Sequence, residues 1–297
     1  GADSTDIGLT AGNNVNISDV VRTADDGSIM VLAAQNVDFA AAAGLLDTEE
    51  TSVTGAMVTV TATNGNITES AADAGGTTDV DIQGRTITLN AVNGAIGQAA
   101  AGNAIDVDGV ASISADTSAG GSITLNETAG DLLVGTINSG DDVTLTAPAG
   151  SIDDATANPD VVTDITGDVV TLTALNGVGQ TAHLDTEAVT LDVSVDGTGD
   201  IVINEATGVD LLDIDTFDGA ITITTGGATT ITDVASLTDD DANDIAITTG
   251  GAALVGVINA GAVGDVTITS DATINDLTAG LDTTTDITGD VVTLTAD

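Results

Sequence analysis

Acidic residues occur in short runs, and the densest run could bind a metal ion. It contains Asp239, Asp240 and Asp241, and Asp244 follows three residues later. Calcium takes roughly six to eight oxygen ligands from carboxylates, amides and backbone carbonyls. The sequence therefore predicts a calcium site whose ligands are Asp239, Asp240, Asp241 and Asp244. Shorter acidic pairs occur at Asp25-Asp26, Asp141-Asp142 and Asp153-Asp154.

The same acids could instead form a solvated face. The chain lacks an Asp-x-Asp-x-Asp-Gly loop closed by a downstream Glu, and it lacks a Gly-Gly-x-Gly-x-Asp series. It has 47 acidic residues against two basic ones, which gives a formal charge of −45 at pH 7. So much like charge needs salt or divalent cations to screen it. Loose cation screening is therefore the alternative to specific calcium sites.

Residue types suited to catalysis are scarce. Two carboxylates at a set separation can hydrolyse a glycoside, but a chain with 47 acids contains such pairs by chance. There is no Trp or Tyr to stack on a sugar, there is no Lys, and His183 is the single histidine. A lone His without an identifiable nucleophile does not make a triad. We therefore expect no enzymatic activity, with a polysaccharide-active β-helix enzyme as the catalytic alternative.

The basic residues limit the classes of partner. Arg22 and Arg85 are the only two, and we expect each to pair with a nearby Asp. Nothing else could neutralise phosphates, which argues against nucleic acid and against anionic membrane surfaces. No apolar run approaches the roughly 18–20 residues that span a bilayer. The chain also has no Cys, so it forms neither disulfides nor a thiolate metal site.

The elements that must position these residues are strands. Runs such as Met57–Thr63, Val169–Thr173 and Val291–Thr295 alternate aliphatic residues with Thr, the period of a strand with one buried face. Asn-Gly, Asp-Gly and Gly-Gly pairs between the runs predict turns. Ala40–Leu46 is the one segment that reads as a helical turn. The pattern therefore predicts an all-β fold.

The spacing of the strands indicates their arrangement. Many strand centres recur after about 20 to 30 residues, which is the range of repeat architectures. We predict a parallel β-helix (β-solenoid) of roughly a dozen rungs, formed by residues 1–297 as a single elongated domain, with rungs about 4.8 Å apart. The alternative is a tandem array of β-sandwich modules, as in calcium-stabilised adhesins.

Copied segments show a longer period. One twelve-residue string occurs at Thr163–Ala174 and again at Thr285–Ala296, 122 residues later (285 − 163). Similarity extends upstream of both copies, and we predict a superrepeat that spans about residues 122–174 and 244–296. A period near 122 residues would also suit a sandwich module, but the shorter rung spacing inside it favours the solenoid.

Neither end of the chain reads as a polar cap. An open terminal rung exposes unpaired strand groups and an apolar cross-section. We therefore expect Gly1 and Asp297 to face further rungs, either in a longer chain or in a head-to-tail neighbour. The absence of a Met start and of a basic-then-apolar leader fits a processed or excised piece of a larger protein.

The rung sequence resembles a known family. Residues Gly130–Ala147 read Gly-Asp-Leu-Leu-Val-Gly-Thr-Ile-Asn-Ser-Gly-Asp-Asp-Val-Thr-Leu-Thr-Ala, which is similar to rungs of filamentous-haemagglutinin-type large exoproteins. Asn93–Gly97 and Asn176–Gly179 are similar to their strand-to-turn links. The resemblance covers most of Met57–Asp297. It implies a right-handed parallel β-helix, export, and a surface, adhesive or matrix role, although this chain shows no secretion domain.

Together these observations favour a mechanical role. We expect a structural extracellular filament or a segment of a giant surface protein or adhesin, which forms a rod and does not catalyse a reaction. Aliphatic ladders would stiffen the rod, and Asp-rich turns would keep it soluble and bind cations such as Ca²⁺. Its expected partners are other copies of itself and components of the cell surface or matrix.

Overall fold

The computed structural model describes residues 6–23, 27–41, 43–48, 56–70, 80–98, 103–156, 162–278 and 283–297. Within these ranges every regular element is a β-strand, and no residue is helical. The chain divides into two compact units, Gly1–Ala149 and Gly150–Asp297. The single-domain organisation of residues 1–297 stays a prediction.

The described part of the first unit contains strands of three to thirteen residues. They are β1 Ile7–Ala11, β2 Val15–Ile17, β3 Val20–Arg22, β4 Ile29–Ala33, β5 Val37–Phe39, β6 Leu45–Asp47, β7 Met57–Ala62, β8 Ile67–Glu69, β9 Ile82–Ala91, β10 Ile105–Thr117, β11 Ile123–Glu127, β12 Leu132–Ser139 and β13 Val143–Ala147.

The described part of the second unit is built in the same way. Its strands are β14 Ile152–Asp154, β15 Ile165–Ala174, β16 Leu184–Thr198, β17 Ile201–Glu205, β18 Val209–Asp218, β19 Ile221–Thr225, β20 Thr229–Ser236, β21 Ile245–Thr249, β22 Ala253–Asn259, β23 Val266–Ser270, β24 Ile274–Asp276, β25 Ile287–Thr288 and β26 Val292–Ala296.

Inward-facing aliphatic side chains stack in ladders in the first unit. Strands β1, β4, β7 and β9 pair in parallel, and the register places Leu9, Val31, Val60 and Leu89 one above another. Val31, Val60 and Leu89 are fully buried. The alternate positions point outward: they hold Thr59, Thr61 and Thr88 in β7 and β9, and the exposed apolar residues Met30 and Leu32 in β4. The alternation seen in the sequence therefore separates the core from the surface.

The second unit shows the rung length directly. Ile201, Ile221, Ile245, Val266 and Val292 share one ladder in β17, β19, β21, β23 and β26, so successive coils contain 20, 24, 21 and 26 residues. The coil of 24 residues is longer because the acidic segment 237–244 lies between β20 and β21. Insertions are therefore accommodated at the corners, where they leave the ladders intact.

The prediction of an all-β parallel solenoid is confirmed, with about 12 stacked turns. The β-sandwich alternative is wrong, because sandwiches are built from antiparallel sheets and the strand pairs here are parallel. The helical turn expected at Ala40–Leu46 is also wrong. Its described residues include the start of β6, and Leu46 is buried opposite Ile82. Burial of Leu46 in the coil outweighs the helical propensity of the alanines in this segment.

Two glycine corners are closely related. Gly97 follows Asn93-Gly94 and Gly179 follows Asn176-Gly177, and both adopt left-handed φ values, +67° and +66°. A Cβ at Gly97 would collide with the Thr124 carbonyl of the next coil, and one at Gly179 would collide with the Val202 carbonyl. Only glycine permits both the backbone angle and the close approach of the next coil.

Candidate functional site

The predicted calcium ligands lie in the corner segment 237–244 of the second unit. Asp239, Asp240, Asp241 and Asp244 are all exposed. The Asp239 Oδ1 atom accepts hydrogen bonds from the backbone N–H groups of Ala262 (2.6 Å) and Val263 (3.0 Å). These two donors lie in the corner of the following coil. The carboxylate therefore fastens one corner to the next.

The neighbouring acids also accept backbone donors. Asp240 Oδ1 accepts the Ala242 N–H at 3.0 Å, and Asp244 Oδ1 accepts the Asp265 N–H at 2.8 Å. Among the residues that the structure describes, no three His, Cys, Asp or Glu side chains are grouped so that they could hold a metal ion. The calcium site stays a prediction, and the observed contacts give Asp239, Asp240 and Asp244 a structural role.

The anchor of this corner is Asn243, which the sequence reading did not identify. Its side chain is buried, and its Nδ2 donates to Asp218 Oδ1 (3.1 Å) and Thr238 Oγ1 (2.8 Å). Thr238 Oγ1 also donates to Asp218 Oδ1 at 2.6 Å. The bonds from Thr238 and Asn243 lower the pKa of Asp218. The sequence does not single out Asn243, because a polar residue between acids is expected at the surface. Its burial depends on Asp218, which lies in the preceding coil.

Asp244 belongs to a recurring corner device. The residue just before a five-residue strand often uses its side chain to accept the backbone N–H of the equivalent residue one coil later. Asp200 accepts from Ala220 (2.9 Å), and Asp265 accepts from Val291 (3.1 Å). In the first unit Asp6 accepts from Ser28 in the same way (2.9 Å). Carboxylates thus satisfy corner donors that the strand ladders leave unpaired.

Asparagines perform the same task at a second corner of the first unit. Asn14 Oδ1 accepts the Asn36 N–H (3.2 Å), Asn36 Oδ1 accepts the Asn66 N–H (2.9 Å), and Asn66 Oδ1 accepts the Ala95 N–H (2.9 Å). The three amides form a continuous column across four coils. The column explains why Asn precedes the β2, β5 and β8 strands.

The shorter acidic pairs are also bound within the scaffold. Asp153 is buried, and it accepts from the Ser151 hydroxyl (2.6 Å) and the Thr181 N–H (2.9 Å). Asp154 accepts from the Thr156 N–H (2.7 Å). Asp141 accepts from the Ser122 hydroxyl (3.3 Å). The Asp25-Asp26 pair lies outside the described residues.

A carboxyl with a raised pKa, that of Glu127, lies at the end of β11. It is buried, and its two oxygens accept the backbone N–H groups of Gly109 (3.1 Å) and Ala129 (3.4 Å). Burial raises its pKa to about 7, the two N–H donors oppose this shift, and the charges of Asp108 and Asp131 add to it. Glu127 therefore changes charge near neutral pH, inside a corner.

Glu205, at the end of β17, repeats this arrangement in the second unit. Its carboxylate accepts from Ala188 N–H (3.0 Å), Thr207 N–H (3.0 Å) and the Thr186 hydroxyl (2.9 Å). Burial raises its pKa, and these hydrogen bonds oppose the shift. Both glutamates lie in an Asn-Glu-x-x-Gly sequence. That recurrence was the signal by which sequence reading could have found them.

Beside Glu205 lies an open cleft of about 380 Å³, lined by oxygen-bearing side chains of the second unit. The lining includes Thr163, Asp185, Asn204 and Thr224. Asp185 Oδ2 is shielded from water and has no hydrogen-bond partner. The cleft could admit a hydrated cation or a small polar molecule, but the Glu205 oxygens already accept hydrogen bonds from the backbone N–H groups of Ala188 and Thr207.

A second acidic group lies on an outward face of the second unit. Asp192 of β16 is directly opposite Asp213 of β18, and Asp215 is adjacent on the same face. Burial and then the Asp213 charge raise the pKa values of Asp192, Asp215 and Asp233. Like charges on neighbouring coils repel, so this face favours cations near it. We call Asp192, Asp213, Asp215 and Asp233 the acidic stack.

The other candidate residues lie apart from these groups. Arg22 pairs with Asp47 through its Nε and Nη2 atoms, each 2.6 Å from Asp47 Oδ2, which confirms the pairing expected for Arg22. Arg85 lies half-buried in β9, and His183 is exposed in the corner before β16. His183 is therefore an exposed turn residue.

Comparison with known proteins gives no relative for this chain. No family model, no curated protein and no solved structure matches it. No helix long and apolar enough to cross a membrane occurs in the described part of the chain. The fold and the corner geometry therefore carry the structural part of the functional argument.

Proposed function

We propose that this chain is a structural, rod-forming segment of an extracellular or cell-surface protein and that it does not catalyse a reaction. The observation that carries the proposal is the use of its polar side chains. Asp239 and Asp244, which look like calcium ligands in the sequence, accept hydrogen bonds from the coils beside them, and so does the buried Glu205. These carboxylates therefore serve to hold neighbouring coils together.

The core supports a mechanical role. Ladders such as Ile201, Ile221 and Ile245 bury one aliphatic residue per coil at each inward position, and all three are at most 1% exposed. Bending such a stack would separate both the side chains and the parallel hydrogen bonds along one face. A stiff spacer that holds other segments away from a surface is the function that this construction suits best.

Cation screening is the second part of the proposal. The acidic stack places unneutralised carboxylates on adjacent coils, and the formal charge of the whole chain is −45. Sodium or calcium in an extracellular medium would lower this repulsion. The proposal needs only a diffuse layer of cations, and it does not depend on a specific calcium site.

A surface, adhesive or matrix role follows from the resemblance of Gly130–Ala147 to large exoproteins. In this role the rod presents a binding segment, or binds surface components through its own outward faces. The proposed localisation is therefore extracellular or at the cell surface.

Small-angle X-ray scattering combined with a glycan assay tests the proposal. A rod-forming segment gives a constant cross-sectional radius and a low-angle intensity that falls inversely with the scattering vector. It also releases no reducing ends from acidic or neutral polysaccharides. A compact globular scattering curve would contradict the structural role. Cleavage that disappears in Glu205→Gln would contradict the absence of catalysis and identify the cleft as an active site.

A further inference from the structure

A polar cleft of about 400 Å³ lies on the side of the first unit, across the coils that contain β2, β5 and β8. Each residue that lines it has a side chain that forms hydrogen bonds, and most of these side chains are amides. Asp38 is the one acid of the lining, in a chain that carries 47 acids. We call this site the amide cleft, and its composition points to a ligand that is polar but uncharged.

The asparagine column supplies hydrogen-bond donors to the amide cleft. Asn14, Asn36 and Asn66 line it, and each uses its Oδ1 atom to accept a backbone N–H group of the next coil. Because only the oxygen of an amide accepts, these bonds fix the direction in which each Nδ2 group points. Within the described residues the three Nδ2 groups donate to no other atom of the protein. The column therefore holds a row of amide donors, spaced by one coil or about 4.8 Å.

A second row of polar side chains lies two residues further along each coil. Asn16, Asp38 and Thr68 are paired in register in β2, β5 and β8, and all three line the cleft. Asp38 accepts the Thr68 hydroxyl at 3.1 Å and the Ser70 hydroxyl at 2.7 Å, which hold its carboxylate in place. A carboxylate has about four lone-pair sites, so Asp38 can still accept from a ligand. Donors and acceptors thus lie side by side in the cleft and recur from coil to coil.

This arrangement suits the hydroxyl groups of carbohydrates. A sugar hydroxyl both donates and accepts, so it can bridge the two rows. Acidic sugars fit poorly, because neither Arg22 nor Arg85 lines the cleft and the Asp38 carboxylate repels an anion. A polymer fits better than a single sugar, because the same donor recurs on successive coils and repeated contacts add avidity.

We propose that the amide cleft binds a neutral, linear polysaccharide that runs across the coils of the first unit. Its hydroxyl oxygens accept from the Nδ2 groups of Asn14, Asn36 and Asn66, and its hydroxyl groups donate to Asp38. The proposal rests on the surface or matrix role proposed above, and it names the chemical class of the partner. Hydrogen bonds supply the affinity, because the chain has no Trp or Tyr to stack on a sugar ring. The polysaccharide is bound and not cleaved.

Affinity electrophoresis tests the proposal, because a formal charge of −45 drives the chain through a native gel. Separate gels contain hydroxyethylcellulose, glucomannan or soluble starch as neutral probes, and polygalacturonate as an anionic probe. At least one neutral polymer should slow the chain relative to a gel without polymer. Polygalacturonate should not slow it, because polymer and protein carry charge of the same sign. A series of polymer concentrations then gives the dissociation constant.

A substitution in the column tests the donors. Asn36→Asp keeps the oxygen that accepts the Asn66 N–H group and replaces the Nδ2 donor with a second oxygen, so it should weaken binding about fivefold or more. Asn259→Asp is the matched control. Asn259 is exposed in the second unit, and its Oδ1 atom also accepts a backbone N–H group, that of Gly261 at 3.1 Å. This control adds the same charge outside the cleft and should leave binding unchanged.

A second variant separates loss of binding from loss of folding. The Asn16 side chain is exposed and forms no hydrogen bond with the described part of the protein, so Asn16→Ala should leave the circular dichroism spectrum unchanged. It should weaken binding about twofold or more, because it removes one amide from the cleft.

The proposal is overturned if none of the three neutral polymers slows the chain, or if polygalacturonate alone does so. Equal losses in Asn36→Asp and Asn259→Asp, or full affinity in both Asn36→Asp and Asn16→Ala, would also overturn it. Scattering from the unmodified chain keeps this result separate from the proposed function. A rod-like curve without retardation would leave the structural role standing and refute only the amide cleft.

Discussion

Two identical twelve-residue segments have different structures in this molecule. Thr163–Ala174 contributes the continuous strand Ile165–Ala174, with Ile165, Val170 and Leu172 fully buried. Thr285–Ala296 forms two shorter strands, Ile287–Thr288 and Val292–Ala296, and every residue of the second is exposed. Local propensity is the same in both. The difference shows that a rung acquires its length and its burial from the coils stacked on it.

The two segments also differ in their acidic residue. Asp164 is buried, and its Oδ2 atom accepts the Asp185 N–H at 2.8 Å. Asp286, the same position of the other copy, is half-exposed, and its backbone carbonyl accepts the Ile258 N–H at 2.7 Å. The Asp164 carboxylate is a corner acceptor because the next coil places the Asp185 N–H group against it.

The largest contrast is expected for leucine truncation. Leu172→Ala removes fully buried methyl groups between coils and should lower the free energy of unfolding by about 2–5 kcal/mol. Leu294→Ala, in the same sequence context, should change it by less than about 1 kcal/mol. Urea unfolding followed by circular dichroism at low protein concentration measures both. Equal losses would show that the two copies are equally covered in solution.

Amide hydrogen exchange makes the same comparison without mutation. Because the two strings are identical, most of their intrinsic exchange rates are equal. Val170–Ala174 should exchange at least about a thousandfold more slowly than Val292–Ala296, since the exposed strand opens locally.

A buried carboxyl should make stability depend on pH. The folded-state pKa of Glu127 is about 7, above its ordinary value of 4.5, so the protonated form favours folding. Its contribution is complete below about pH 4.5 and is lost as the pH rises through about 7, which amounts to at most about 3 kcal/mol. Unfolding curves of Glu127→Gln between pH 5 and pH 8 should therefore be flatter than those of the unmodified chain.

The control for this experiment is Glu187→Gln, on the outward face of β16. It should keep the pH slope of the unmodified chain. If Glu127→Gln keeps that slope too, the corner admits water and Glu127 titrates as an exposed acid. The same measurement on Glu205→Gln compares the first unit with the second, since Thr186 and Thr207 give Glu205 hydroxyl donors in addition to backbone N–H groups.

The smallest expected effect concerns the acidic stack. Asp213→Asn removes the charge that faces Asp192 and Asp233, and it should stabilise the fold by about 0.5 kcal/mol at low ionic strength. The gain should vanish in about 1 M NaCl, where charges are screened within about 3 Å. Asp271→Asn, an exposed acid of another corner, serves as the control. Urea unfolding with calcium and with a chelator would show whether divalent cations give the same stabilisation as Asp213→Asn.

The sequence predicts the fold of this molecule better than it predicts the candidate site. Alternation of Val, Ile and Leu with Thr predicts the strands, and their spacing predicts the stacked coils, because both depend on local period and chain length. The use of the acids was not predictable in this way. The sequence predicts Asp239 and Asp244 as calcium ligands because carboxylates in a run resemble a metal site. Their partners, Ala262, Val263 and Asp265, come from a different coil.

Glu127, Glu205 and Asn243 show the same limit. Each is polar, and polarity alone predicts a surface position. Each is buried because a neighbouring coil supplies donors or acceptors at the matching height: Gly109 for Glu127, Ala188 for Glu205, and Asp218 for Asn243. Such pairings follow from the register between coils. Register depends on corner lengths, which vary from coil to coil.

The sequence by itself determined the strand period, the rung spacing and the copied segments, because these follow from side-chain type and from order along the chain. Tertiary structure alone decided which copy of the string is buried and which acids hold corners. Burial requires two coils in contact, and the sequence of one segment does not specify which coil packs against it. The identical segments at Thr163–Ala174 and Thr285–Ala296 make this distinction visible within one chain.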